Sequence, residues 1–203
     1  MLIPTLITKE NYKRSTWKNG LGFTDEIAIH PPGAVLAQGN FLWRLSSARI
    51  EKASPFSLFP NHDRMLIVLK GNGIKLMHTF EEGGDDEVVE VPVLEPYEFP
   101  GDVPSRCELT NGPITDFSIF LRKAEVEPLV QIIELAETET HTWIPEGRWN
   151  FAFAIQGNFE TETSSLNEGN TLSLEHATPS MENSSIPIRS LASKAYLLLI
   201  SLG

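Results

Sequence analysis

Between Asp63 and Met77 the chain spells out a strand, a tight turn and a second strand. Arg64, Leu66 and Val68 alternate with Met65, Ile67 and Leu69, the run stops at Gly71-Asn72-Gly73, and Ile74-Lys75-Leu76-Met77 resumes it. Short alternating runs of this kind, closed by glycine, proline or asparagine, fill the rest of the sequence. No segment sustains a helical period or a heptad. The 14 glycines and 14 prolines are scattered rather than clustered, which suits many short strands and turns. A chain of 203 residues, 41% of them hydrophobic, has enough apolar material for one large or two small β cores. The expected class is all-β.

Leu2 to Ile7 reads as an opening strand and Phe23 to Ile29 as another, followed by a loop from His30-Pro31-Pro32-Gly33. In Asn40 to Ile50 the alternation puts Trp43, Leu45 and Ser47 on one face and Arg44, Ser46 and Ala48 on the other. The acidic stretch Glu81 to Glu87 is a solvated hairpin tip, since it lacks the ligand spacing of a calcium loop. Val88 to Leu94, Ser105 to Leu109 and Ile114 to Arg122 complete a first β unit. Lys123 to Pro128 is the expected boundary, giving a lobe of residues 1–124 and a second, acidic lobe of residues 125–203. In the second lobe, Leu129 to Leu135, Trp149 to Gln156, Asn158 to Thr163, Thr171 to Leu174 and Ala195 to Leu202 read as strands. Turns at Gly157-Asn158 and Gly169-Asn170 repeat the hairpin chemistry of the first.

The net charge of −11 disfavours nucleic acid and anionic membranes as partners. Its distribution is uneven: residues 1–64 carry net +3, and residues 65–203 carry net −14. A small anion is welcome only in the first third. The opening MLIPTLITKE has neither the basic start nor the apolar run of a secretory signal, and the single cysteine, Cys107, fits a reducing compartment. Cytoplasmic residence is the expectation, with Cys107 as an inert core residue.

Arg64 shares its strand face with two aliphatic side chains. If that face points into a barrel, a permanently charged guanidinium sits at the mouth of an apolar interior and needs an anionic partner. The competing reading is that it pairs with Asp63 or Asp116, or lies in water.

The run Trp17-Lys18-Asn19-Gly20-Leu21-Gly22-Phe23-Thr24-Asp25-Glu26-Ile27 resembles the WKNGGG-x-T-x-E-I signature of the HutD/Ves family. Phe41-Leu42-Trp43-Arg44-Leu45-Ser46 is similar to its WR-x-S strand, and Phe56-Ser57-Leu58-Phe59-Pro60 with Asp63-Arg64 to its FS-x-F-P-x-x-DR element. Phe99-Pro100-Gly101-Asp102 and Gly112-Pro113-Ile114-Thr115-Asp116-Phe117 fit two later signatures. Leu21 replaces the middle glycine of the triplet, Ser118 stands where asparagine is common, and the likeness fades beyond Arg122.

This resemblance implies a cupin-type β-barrel, two-lobed in a single chain and often dimeric. It also implies a link to histidine utilisation or stress response and a small acidic ligand of the formylglutamate type. Metal-dependent cupins carry G-x5-H-x-H-x3,4-E-x6-G, whose side chains grip a divalent ion. With the final glycine on Gly71, Arg64 takes the Glu position, while Ser57 or Leu58 and Phe59 or Pro60 take the His positions. Pro104 stands where a later His would fall, and the five histidines are dispersed. No metal or other cofactor is expected.

A guanidinium in place of a carboxylate inverts the site's charge and suits a bidentate carboxylate ligand. Arg64 is the expected anchor. Lys18 and Asn19 are candidates for the ligand's second carboxylate or amide oxygen, or for bracing the mouth. Arg44, Ser46 and Asp116 are further candidates, with Trp43 as a possible wall. His62 reads as an exposed turn histidine. The expected function is thus a non-metal cupin that binds a small carboxylate. One rival is a metal-independent isomerase or hydrolase using Asp116, Glu26 or His62; another is a protein-binding stress factor with no small ligand.

Overall fold

The alternating runs form nineteen strands among the described residues, which are 2–17, 22–176 and 185–203 of a computed structural model. In chain order these are β1 (Leu2–Ile7), β2 (Lys13–Thr16), β3 (Gly22–His30), β4 (Trp43–Ile50), β5 (Ser54–Pro55), β6 (His62–Lys70), β7 (Ile74–His78), β8 (Glu87–Val91), β9 (Pro96–Pro100), β10 (Ser105–Leu109) and β11 (Ile114–Arg122). There follow β12 (Pro128–Ala136), β13 (Thr140–Trp143), β14 (Trp149–Gln156), β15 (Phe159–Glu160), β16 (Ser165–Leu166), β17 (Thr171–His176), β18 (Ile186–Ser190) and β19 (Lys194–Leu202). Two compact units result, one of Tyr12–Val126 and one of Met1–Asn11 with Glu127–Gly203. No helix among the described residues is long and apolar enough to cross a membrane.

In the Tyr12–Val126 unit, a six-stranded sheet ordered β2-β3-β4-β11-β6-β9 accompanies a four-stranded sheet ordered β5-β10-β7-β8. Ile50, Leu66, Val68, Phe99 and Ile114 of the larger sheet join Ile74, Leu76, Val91 and Cys107 of the smaller in one buried cluster. Each such side chain contributes about 1.5 to 3 kcal/mol of burial, so the alternation of β6 and β7 is what drives the two sheets together. The turn between these strands requires glycine: Gly73 has φ +81, and a Cβ there would lie 2.8 Å from the Val91 carbonyl oxygen.

The second unit pairs a five-stranded sheet, β1-β17-β14-β19-β12, with a four-stranded sheet, β13-β18-β15-β16. Setting β1 aside, its order β12-β19-β14-β17 repeats β4-β11-β6-β9, and β13-β18-β15-β16 repeats β5-β10-β7-β8. The fold is therefore a duplicated all-β sandwich of the cupin type.

The opening strand departs from the expected division at residues 124 and 125. Leu2–Ile7 pairs antiparallel with β17, from Leu2 opposite His176 to Ile7 opposite Thr171, and so belongs to the second unit. Strand β14 holds only one side of β17, and β1 covers what would otherwise be an unpaired edge.

Candidate functional site

Leu66 and Val68 of β6 point into the apolar cluster, and period-two geometry carries Arg64 to the same face at the end of the row. There the guanidinium reaches a cavity of about 590 Å³ bounded by β2, β3, β4, β6, β11 and the segment after β5. Arg64 is only 6% exposed. Its Cζ lies 4.6 Å from the ring centroid of Phe56, 4.7 Å from Phe120, 5.1 Å from Phe99 and 5.8 Å from Phe59. The ring faces partly replace water around the cation, at about 0.5 to 2 kcal/mol each. They accept no hydrogen bond of the kind a carboxylate does. Among the described residues Arg64 Nε has no hydrogen-bond partner, and no carboxylate forms an ion pair with this side chain. Burial pulls its pKa down to about 10, against the opposing pull of Asp116, so it is still a cation at neutral pH.

Arg44 enters the same cavity from β4 but is already paired. Its Nε donates to Glu26 Oε2 at 2.8 Å, its Nη1 donates to Ser46 Oγ at 3.1 Å, and Cζ stands 5.4 Å from the Phe120 ring. Glu26 stands opposite Ser46 in the β3–β4 ladder, which sets it on the face of β4 that carries Arg44, just before a register shift between Glu26 and Ala28. Asp116 also sits at a shift, between Thr115 and Asp116 in the β11–β6 ladder. Each of these carboxylates thus adjoins a bulge, where one strand carries an extra, unpaired residue.

Asp116 is 2% exposed and makes no ion pair among the described residues. Its Oδ1 accepts the Ala48 N–H at 2.9 Å, and the Ser118 hydroxyl also bonds the carboxylate. Burial raises its pKa to about 6, although Arg64, those hydrogen bonds and Arg44 favour the ionised form. Two buried groups of opposite charge thus line one cavity without being joined.

Arg64, Arg44, Ser46 and Asp116 come together on the cavity wall, Arg44 and Ser46 from their shared strand face. Trp43 does not. It lies on the opposite face of β4 from Arg44, buried and stacked on His30 at 5.6 Å, because adjacent strand residues point to opposite sides. Lys18 and Asn19 lie outside the described residues. His62, expected at an exposed turn, is 1% exposed and stacks on Phe41 at 4.1 Å. Its Nδ1 and Nε2 face the carbonyl oxygens of Pro60 and Phe41 at 2.9 and 3.0 Å, so neither nitrogen reaches the cavity. Cys107 is buried, and desolvation pushes its thiol pKa up, as suits an inert core residue.

Sequence reasoning missed the aromatic surround. Phe56 and Phe59 belong to the FS-x-F-P run and Phe99 to the FPGD run, so the resemblance marked their positions without showing that they converge on Arg64. Gly101 makes part of this possible: a Cβ there would lie 2.7 Å from His62 O and 2.9 Å from Phe59 O, where backbone hydrogen bonds hold the Phe59 turn. Trp17 and Ser118 also line the cavity, the indole Nε1 of Trp17 donating to Thr24 Oγ1 at 2.9 Å. Among the described residues no group of three or more His, Cys, Asp or Glu side chains is placed to hold a metal ion.

A family model described as HutD matches residues 9–195. An uncharacterised 21.2 kDa protein from the hutC 3' region of Pseudomonas putida is 36% identical over 117 residues, covering 57% of this chain and 56% of that protein. Protein Ves of Cronobacter sakazakii is 30% identical over 119 residues, covering 58% and 60%. The match therefore spans little more than half the length of each of these relatives. Among solved structures, HutD from Pseudomonas fluorescens, determined in a formate condition, superposes with a TM-score of 0.75 at 22% identity, over 99% of this chain and 100% of that one. At that identity the likeness speaks for the fold.

Proposed function

This chain belongs to the HutD family, and we propose that the cavity of its Tyr12–Val126 unit binds a small carboxylate metabolite of the formylglutamate type. The carrying observation is Arg64, a buried cation whose Nε has no partner among the described residues, at the wall of a cavity large enough for a small metabolite. An unpaired buried charge is unfavourable, and a planar fork of donors fits a carboxylate edge-on. Four phenylalanines hold that fork in place without competing for it. Binding would act as a metabolite sensor that tunes histidine utilisation or a stress response in the cytoplasm. The setting of the Pseudomonas putida relative in the hutC region supports the first of these.

Isothermal titration calorimetry with N-formylglutamate tests this. Wild type binds, and Arg64→Ala binds at least about 30-fold more weakly, the lower end expected for truncating one partner of a buried charged hydrogen bond. Equal affinity in both removes Arg64 from the site.

One observation favours a second reading, a metal-independent enzyme. The Asp116 carboxyl, held near 6 by burial, is poised for proton transfer at neutral pH. Glu26 is engaged by Arg44 and His62 by two carbonyls, which leaves Asp116 as the acid or base. Turnover of the bound carboxylate that disappears in Asp116→Asn supports this reading; binding without turnover supports the sensor.

A further inference from the structure

The proposal that follows rests on the carboxylate-binding reading and asks what else the bound molecule must carry. Among the described residues four charged side chains converge here: Arg64 from β6, Arg44 from β4, Glu26 from β3 and Asp116 from β11. Arg44 and Glu26 satisfy one another at 2.8 Å. Arg64 and Asp116 are left, both buried, both on the wall, and not joined to each other.

A plain carboxylate seated on Arg64 would answer the cation and bring a second negative charge into a small space with Asp116. The remaining wall adds no further cation among the described residues beyond Arg44, only apolar side chains and the neutral hydroxyls of Ser15, Thr16, Thr24 and Ser57, which lessen that repulsion without cancelling it. The hydroxyl of Ser118 and the amide of Ala48 already bond the Asp116 carboxylate. A ligand that also carries an N–H or O–H turns the repulsion into a charge-assisted hydrogen bond.

We propose that Asp116 is the specificity-determining residue of the cavity, accepting a hydrogen bond from the ligand and so selecting carboxylates that bear an N–H or O–H donor, such as N-acyl amino acids, over carboxylates that lack one. Arg64 supplies affinity for the anion, and Asp116 decides which anion.

The test is calorimetric, at pH 7.5, with two ligands that differ at one atom: N-formylglutamate, and 2-formyloxyglutarate, in which an ester oxygen replaces the N–H. Wild type prefers the amide by about 10- to 100-fold, the worth of a hydrogen bond to a charged group. In Asp116→Asn, which is close in shape and keeps an oxygen for the Ala48 amide, an NH₂ takes the place of the second oxygen. The preference then falls below about threefold or reverses. If wild type binds both ligands equally and Arg64→Ala weakens both, the carboxylate reading stands and the selectivity inference is overturned. If neither ligand binds wild type, both fall. The wild-type comparison decides the matter even if a variant fails to fold.

Discussion

The two units share a strand order and differ in what they point inward. Their equivalence has an internal marker. In the β6–β11 ladder the register skips Leu69, and in the β14–β19 ladder it skips Ile155, each just before a hairpin glycine, Gly71 and Gly157. Aligned on that bulge, the row Arg44–Phe120–Arg64 across β4, β11 and β6 matches Leu129–Ser201–Asn150 across β12, β19 and β14. The next inward row, Ser46–Ser118–Leu66, matches Gln131–Leu199–Ala152, and Ala48–Asp116–Val68 matches Ile133–Leu197–Ala154.

Thus Asn150 occupies the place of Arg64, and Leu197 that of Asp116. Asn150 is fully buried and self-sufficient: its Oδ1 accepts the Gly147 N–H at 3.0 Å, and its Nδ2 donates to the carbonyls of Gly147 and Leu174 at 2.7 and 3.4 Å. The second unit's cavity, lined by Leu129, Gln131, His141, Trp143, Leu199 and Ser201 among others, measures about 230 Å³ against about 590 Å³. The sandwich therefore closes well with an internally bonded amide at this position. Nothing in the architecture demands a guanidinium with no carboxylate partner among the described residues, and that is why its presence in the first unit points to a ligand.

The sharpest way to break this comparison is to truncate the two equivalent residues. Arg64→Ala should cost carboxylate binding about 2 to 5 kcal/mol by calorimetry, whereas Asn150→Ala should leave binding unchanged. If Asn150→Ala weakens binding as much, the two positions do not divide function from structure.

Asp116 offers the next largest effect. Its folded pKa, about 6, lies above the ordinary 3.8, so the stability it contributes is fully present below about pH 4 and is lost as pH rises through 6. The loss is on the order of 3 kcal/mol, from a shift of about two units. Asp116→Asn removes this dependence, so urea unfolding should show the variant gaining on wild type between pH 4 and pH 7.5. Parallel pH profiles would contradict the assignment. For Asn150→Ala the effect should be stability alone. Losing its hydrogen bonds to Gly147 and Leu174 costs about 1 to 3 kcal/mol in unfolding free energy, since it strands buried backbone groups.

The smallest effect concerns Arg44. In Glu26→Gln its guanidinium loses a charged partner and becomes available to an anion, so carboxylate affinity should rise by no more than about fivefold, the scale of a partly exposed ion pair. A fall in affinity would mean that Arg44 must be held by Glu26 to serve the site.

Much of this was legible in the sequence. Alternation set Arg44 and Ser46 on one face of β4 and Arg64 beside Leu66 and Val68 on one face of β6, without fixing which way those faces point, and Gly71-Asn72-Gly73 marked the hairpin. The same alternation already set Trp43 opposite Arg44, so its candidacy as a wall conflicted with the strand period. What stayed hidden depends on pairings distant in sequence. Strand β1 meets β17 across most of the chain, and the Arg44–Glu26 ion pair depends on the β3–β4 register, which sets Glu26 opposite Ser46. The rings around Arg64 come from β9, β11 and the segment after β5, so their convergence is a property of the sheet order. His62 looked exposed because a turn precedes it, yet it begins β6 and is buried against Phe41.

The central claim, that Arg64 is a buried cation with which no carboxylate among the described residues forms an ion pair, is tested most directly by the ligand-free unfolding free energy of Arg64→Met. An unbranched apolar side chain fills much of the same space. Since no ion pair among the described residues is broken and a buried charge is removed, the variant should be as stable as wild type or more so, by up to about 4 kcal/mol. A loss of about 3 kcal/mol or more is the signature of a severed buried ion pair, and it would show that Arg64 already has its anion within the fold.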